Sequence, residues 1–384
     1  MRHHNSVLHG LTKQIPWAAF DSLVDEHGAD WRVRRLSTKS QLIALLYGQL
    51  AGAASLREIE GGLASHEARL YHLGAASPSR STLSDANARR PHQVFAGLLA
   101  HLIKQAQPGL RRKIGEAVRL IDSTGLRLSG LGAQWAQFSA GVCGAKLHVV
   151  YDPDAERPLY VEVTSARVND ITPAKQMPIE SGATYVFDLG YYDYQWWADL
   201  AAAGCRIVTR FKKNTPLAVI AERALQPGSA ILSDRIGHLP ARLKHSRHNP
   251  FANPVREVRI LTQTGKELRI LSNDLDAPAD EIADLYKRRW QVELFFRWIK
   301  QTLKIRHFLG ASENAVRIQV AVALIAYLLI RIAHAATKTI HSPLAFARLI
   351  RANLMHRRPI NRLLDPPDPT IRDHRQMSLC LAQS

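Results

Sequence analysis

Asp122 and Asp188 each close a short apolar run, Val118-Arg119-Leu120-Ile121 in one case and Ala183-Thr184-Tyr185-Val186-Phe187 in the other. Either one alone reads more simply as a turn residue or a helix cap. If the two runs are parallel neighbouring strands, both carboxylates emerge at one sheet edge, where open α/β folds place ligands. A third acid, Glu293, sits in a basic stretch: from Lys287 through Arg306 there are seven Lys or Arg residues and no other carboxylate. Tyr286, Arg289, Glu293 and Lys300 follow one another at i, i+3, i+7 and i+14, which puts them on one face of a helix. One acid among three groups able to hold phosphate makes a poor solvated surface and suits metal binding beside a phosphodiester. Three carboxylates and water favour hard, octahedral Mg²⁺ over zinc, with Mn²⁺ expected to substitute. Two such ions, about 3.5–4 Å apart, can activate an attacking oxygen and steady the leaving one during in-line displacement at phosphorus.

The spacing Y-x2-R-x3-E-x6-K, filled by Tyr286, Arg289, Glu293 and Lys300, resembles the signature of bacterial insertion-sequence transposases of the YREK group, the family named for insertion sequence four. Leu120-Ile121-Asp122-Ser123-Thr124 resembles that family's first catalytic Asp segment, and Phe187-Asp188-Leu189-Gly190-Tyr191 its second, usually D-x-G-Y or D-x-G-F. Val208 to Asn214 and Leu309 to Val316 are similar to flanking segments, so the likeness covers roughly residues 15 to 350. Leu189 departs from a common form that carries Arg.

The resemblance implies an α/β fold: a ribonuclease-H-like catalytic core, with a mixed sheet flanked by helices, interrupted by a β-rich insertion, and an all-helical N-terminal DNA-binding domain. The 105 positions from Asp188 to Glu293 leave room for the insertion. It implies Asp122, Asp188 and Glu293 as catalytic ligands of a two-ion Mg²⁺ site, with Tyr286, Arg289 and Lys300 positioning phosphate and terminal nucleotides. Lys146, His148, Arg210 and Lys212 are further candidates for DNA contact. The implied reaction is cut-and-paste transposition at terminal inverted repeats. Water as nucleophile nicks the strand and a freed 3′-hydroxyl joins strands, with a hairpin as the expected intermediate. The expected partners are double-stranded DNA, as element ends and target, and a second copy of the chain in a synaptic complex. A related nuclease that cuts without joining, and a DNA-binding repressor without catalysis, are the alternatives.

Positioning these residues requires particular elements. Up to about Gln107 the pattern is helical, with apolar residues at helical spacing over Ser40 to Tyr47 and a capping box at Ser55 and Glu58. After Ser77-Pro78-Ser79, the polar stretch Arg80 to Arg90 has the make-up of a groove-reading helix, with Arg80, Arg89 and Arg90 as DNA candidates. A solvated bundle helix has the same make-up. From Val118 the chain turns strand-like: Ala145–Tyr151 and Pro158–Thr164 alternate around Asp152-Pro153-Asp154. Asp170 and Asp193 read as helix caps, and Trp196-Trp197 as core. Val255–Leu261 and Leu268–Ser272 form an expected hairpin, and a helix is expected from Ala279 to about Leu303. The expected divisions are 1–108 (helical), 109–210 with 275–340 (core), 211–274 (insertion) and 341–384 (basic helix and tail, breaking at Asp365-Pro366-Pro367).

The formal net charge of +18 calls for a polyanionic partner. Cys143, Cys205 and Cys380 are far apart, without disulfide or zinc spacing. Met1-Arg2-His3-His4-Asn5 lacks a signal-peptide run. Ile318–Ile330, thirteen residues including Gln319, is too short to span a bilayer and reads as a buried helix. No membrane partner is expected, and the expected location is the bacterial cytoplasm, at the nucleoid.

Overall fold

The computed structural model describes residues 5–105 and 117–364, apart from 130, 140–141, 226–228, 243–247, 263, 304, 306–307, 338–339 and 341. The expected break at Asp365-Pro366-Pro367, the tail beyond it and Cys380 lie outside the described residues.

The N-terminal part is helical: α1 (Val7–Thr12), α2 (Trp17–Glu26), α3 (Thr38–Ala51), α4 (Leu56–Ala64), α5 (Glu67–Leu70), α6 (Arg80–Arg89) and α7 (His92–Gln105). Local chemistry fixes the starts. The hydroxyls of Ser37, Ser55 and Ser79 each accept from the backbone N–H three residues on, satisfying donors that a helix end leaves unpaired. At Ser55 the expected capping box is displaced by one residue, since Glu58 reaches back to the N–H of Ala54 at 2.9 Å. Gly52, at φ 76°, ends α3 in the left-handed conformation that costs glycine least.

Among the described residues a ten-stranded sheet follows. Its strands are β1 (Val118–Leu128), β2 (Gln137–Ser139), β3 (Val142–Asp152), β4 (Arg157–Ser165), β5 (Thr184–Phe187), β6 (Arg206–Arg210), β7 (Ala218–Glu222), β8 (Ile231–His238), β9 (Val255–Leu261) and β10 (Glu267–Ser272). The α-helices α8 (Ile171–Ala174) and α9 (Tyr194–Ala202) interrupt them; after the strands come α10 (Ala279–Arg288), α11 (Trp290–Thr302), α12 (Glu313–Ala335) and α13 (Pro343–Asn353). The order is β2-β3-β1-β5-β6-β10-β9-β8-β7, with β4 also on β3. β4, β3 and β1 are antiparallel, β1, β5 and β6 are parallel, and β10 returns antiparallel to β6. Three antiparallel strands followed by two parallel ones is the ribonuclease-H-like order. The β7–β10 segment, which spans the expected hairpin, continues this sheet through β10 instead of standing apart from it.

Strand alternation divides the core. Leu120, Val149, Val186 and Val208 face one side and join the cluster built around α12 and α11. Ile121, Tyr185, Phe187 and Ile207 face the other and pack with Trp196 and Trp197 of α9. Ser312 caps α12 through the Ala315 N–H. That helix is long and apolar enough to cross a membrane, yet most of it is buried inside the protein. It is the post against which α3, α6 and α7 pack on one side and α11 on another.

Two details differ from the sequence reading. β1 does not stop at Asp122; it runs on to Leu128 because Ser123–Leu128 stay paired with Cys143–His148 of β3, so Asp122 stands mid-strand. The helix expected over Ala279–Leu303 is two helices. At Arg289 the ladder tightens, its N–H bonding Tyr286 O and its own carbonyl accepting from Val292 N, three residues each way instead of four.

Candidate active site

The parallel pairing of β1 with β5 matches Val118 with Thr184, Arg119 with Tyr185 and Leu120 with Val186. Two residues further on, the same register sets Asp122 level with Asp188, on the face that α11 covers. On the far side of β5, Phe187 pairs with Thr209, so the exposed Arg210 comes level with Asp188. The Asp188 carboxylate accepts from the Gly190 N–H at 2.8 Å. A Cβ on Gly190 would stand 3.0 Å from Asp188 Oδ1 and 3.2 Å from Asp170 Oδ2, so a side chain there would crowd both carboxylates.

Asp122 Oδ1 accepts from the Ser123 N–H at 2.8 Å, and Oδ2 from Arg289 Nη1 at 2.9 Å. Burial pushes its carboxyl up to about 6, with Asp188 and Glu293 adding to the rise and the Ser123 N–H and Arg289 opposing it. Glu293, in the first turn of α11, accepts from Arg289 Nη2 at 2.6 Å. One guanidinium therefore bridges Asp122 and Glu293 from the residue at the tightened turn. Seven residues on, Lys300 Nζ donates to Thr124 Oγ1 at 2.6 Å, and Thr124 shares a strand face with Asp122. Tyr286 closes the group from α10, its ring buried and the Arg289 guanidinium 6.0 Å from its centroid.

The other sequence candidates divide. Arg80 and Arg89 lie exposed on α6, and Lys212 is exposed with its ammonium 4.1 Å over the Tyr192 ring. Arg90 is a correction: it is buried, its guanidinium donating to Gln41 Oε1 at 3.1 Å and to the Leu36 carbonyl, so it ties helices together. His148 is another: it is buried against Thr164 Oγ1 at 2.8 Å, and burial lowers its pKa to about 4. A neutral, enclosed imidazole does not neutralise phosphate. Lys146 is half-buried and donates to Asp170 at 2.9 Å and to the Val168 carbonyl at 3.0 Å.

Asp170 is the residue the sequence undervalued. It stands at the start of α8 but makes no side-chain cap; its carboxylate instead takes Ser123 Oγ at 3.0 Å and Lys146 Nζ. Tyr191 is buried beside Asp122, Asp170 and Asp188, and burial and these charges hold its phenol well above its usual pKa. Asp170 bonds residues 47 and 24 positions away, so no local spacing reveals it. Asp193 does cap, accepting from the Trp196 N–H at 2.9 Å, and Trp196 and Trp197 are core.

These oxygens are the right donors for a hard divalent ion. Among the described residues, though, no three His, Cys, Asp or Glu side chains stand close enough to hold one as they are. Arg289 lies between Asp122 and Glu293.

Residues 113–329, more than half of the chain, match the family described as transposase DDE domain. The chain belongs to this DDE transposase family. Its N-terminal residues 3–76 match a domain of unknown function. The transposase is 42% identical over 300 residues to a putative transposase, y4zB, of Sinorhizobium fredii, covering 78% of this chain and 84% of that protein. It is 30% identical over 264 residues to the probable transposase for insertion sequence element IS5377 of Geobacillus stearothermophilus, covering 67% and 68%. A piggyBac transposase, solved as a synaptic complex with hairpin DNA, shares the fold with a TM-score of 0.50 at 13% identity, over 94% of this chain and 82% of that one.

Proposed function

We propose that this transposase cuts and rejoins double-stranded DNA at the terminal inverted repeats of its own element, by Mg²⁺-dependent cut-and-paste transfer. Asp122, Asp188 and Glu293 hold the ions. One observation carries the reading. Parallel register sets Asp122 beside Asp188, and Arg289 ties Glu293 to Asp122. Divalent ions bound there supply Lewis-acid activation of the attacking and leaving oxygens at phosphorus. The planar fork of Arg289 suits phosphate oxygens as well as carboxylates. On substrate binding it turns from Asp122 and Glu293 to the phosphodiester, freeing both carboxylates together. Lys300 and Tyr286 position the same phosphate, Arg210 and Lys212 meet the strand at the edge beside Asp188, and Lys146 fixes Asp170. Mn²⁺ substitutes because the donors are all oxygen.

In this reading, residues 1–108 grip DNA through Arg80 and Arg89 of α6. Residues 109–210 and 275–340 are the catalytic core, 211–274 its β-rich insertion and 341–384 a basic tail. The signature Tyr286, Arg289, Glu293 and Lys300 supports membership of the YREK group. Two copies act together in a synaptic complex, at the nucleoid, through a hairpin intermediate. The test is to incubate purified protein and Mg²⁺ with DNA carrying the two ends that flank its gene. The wild-type chain nicks those ends, and Asp188→Ala binds them without cutting. Cutting by Asp188→Ala at the wild-type rate overturns the site.

A further inference from the structure

The loop between α2 and α3 has no part in the site described above, and its construction is unusual. Both ends are anchored in the core: Ala29 and Leu36 are buried, and Asp30 accepts from the backbone N–H and the hydroxyl of Thr38, each at 2.7 Å. Between the anchors, Trp31, Arg32, Val33, Arg34 and Arg35 are all exposed. Trp31 is 72% exposed, a large apolar surface to leave in water without a partner. Arg32 has φ 57°, a left-handed conformation that is unfavourable for a non-glycine residue. In it, the guanidinium lies 4.2 Å over the Trp31 ring, so the two side chains form one stacked, cationic wedge.

The loop is also locked to α6. Arg90, the residue after that helix, donates to the Leu36 carbonyl and lies 3.8 Å from Asp30. The exposed Arg89 at the end of α6 is therefore carried alongside the loop. From Trp31 to Ser37 there are three arginines and no acid.

We propose that this loop is a second DNA contact of the N-terminal region: Arg34 and Arg35 neutralise backbone phosphates while the Trp31–Arg32 stack enters the minor groove. Arginine is favoured in a narrow minor groove for its charge, and an apolar ring can wedge there between base steps. The loop, stiffened at both ends, sets the distance between this contact and α6. The inference rests on the reading of the chain as a DNA-acting enzyme, and gives the domain of unknown function that holds the loop a share in the grip.

Equilibrium binding of the full chain to fluorescein-labelled duplexes of about 25 base pairs, one A·T-rich and one G·C-rich, across a salt series tests it. Arg34→Ala/Arg35→Ala should lower the slope of log K against log salt by about 2 on both duplexes, since each phosphate neutralised contributes about 0.9. Trp31→Ala should leave the slope unchanged and weaken the A·T-rich duplex about tenfold, more than the G·C-rich one. All three side chains are exposed, so the melting temperatures of the variants should match wild type. Wild-type affinity and slope in both variants would overturn the loop contact while leaving the DNA reading intact. Failure of the wild-type chain to bind either duplex would remove both. Unchanged duplex binding with lost binding to phosphatidylserine vesicles would assign the loop to a lipid surface and overturn the proposal.

Discussion

At the scale of single residues, Asp122 sets burial against charge. Its carboxyl is pushed up from 3.8 to about 6 by burial, so the folded protein holds the proton more tightly than the unfolded chain. The sign follows. Below pH 3.8 both states are protonated and there is no penalty. The penalty grows as pH rises from 3.8 to 6, and above 6 it is fully present. Asp122→Asn keeps the shape without the charge. It should stabilise the protein by on the order of 1–3 kcal/mol at pH 7 and by nothing near pH 3, while abolishing cleavage. Thermal melts at the two pH values check this, and equal stabilisation at both would remove the buried-charge account. The same residue shows what local sequence leaves out. Asp122 and Asp188 are visible as acids closing apolar runs, but the extension of β1 beyond Asp122 depends on pairing with β3. Asp170 looked like a cap because its partners, Ser123 and Lys146, are brought to it only by the folded sheet.

At the scale of elements, α11 presents Glu293 and Lys300 on one face and anchors itself with another. Phe295 stacks against Tyr151 at 4.9 Å and Tyr327 at 5.2 Å between ring centroids, fixing the helix two residues after Glu293. Phe295→Ala should cost about 3–5 kcal/mol and lower cleavage by letting Glu293 drift. Leu294→Ala, at a position 45% exposed, should cost roughly 0.5 kcal/mol or less. Denaturant titration of both variants checks the contrast; similar losses would mean that α11 is not held by its aromatic face. The helical face shared by Tyr286, Arg289, Glu293 and Lys300 was legible from spacing alone. The interruption at Arg289 was not, since nothing at that position disfavours helix; the turn tightens where Arg289 meets Asp122 across 167 positions of sequence.

At the scale of the whole molecule, composition spoke for the substrate and hydrophobic pattern for the core. The charge of +18 fits an enzyme that holds DNA, and the apolar run Ile318–Ile330 is the interior of α12. What pattern could not show is that α12 serves both halves. Helices α3, α6 and α7 pack on it from the N-terminal region, while Tyr327 packs its ring edge-on against Phe295 and Trp298 of α11. The helical region and α11 therefore share one continuous core. Calorimetry should show one cooperative transition for both, and two well-separated ones would contradict the shared core.

That shared helix also limits how such proteins can be recombined. The N-terminal helices cannot be exchanged as a cassette, because α3, α6 and α7 pack on a helix encoded more than two hundred residues later. A chimaera that imports the helices of a relative without that relative's α12 faces mismatched cores. Changes to exposed side chains, such as those of α6, leave that shared core intact, whereas trading whole segments does not.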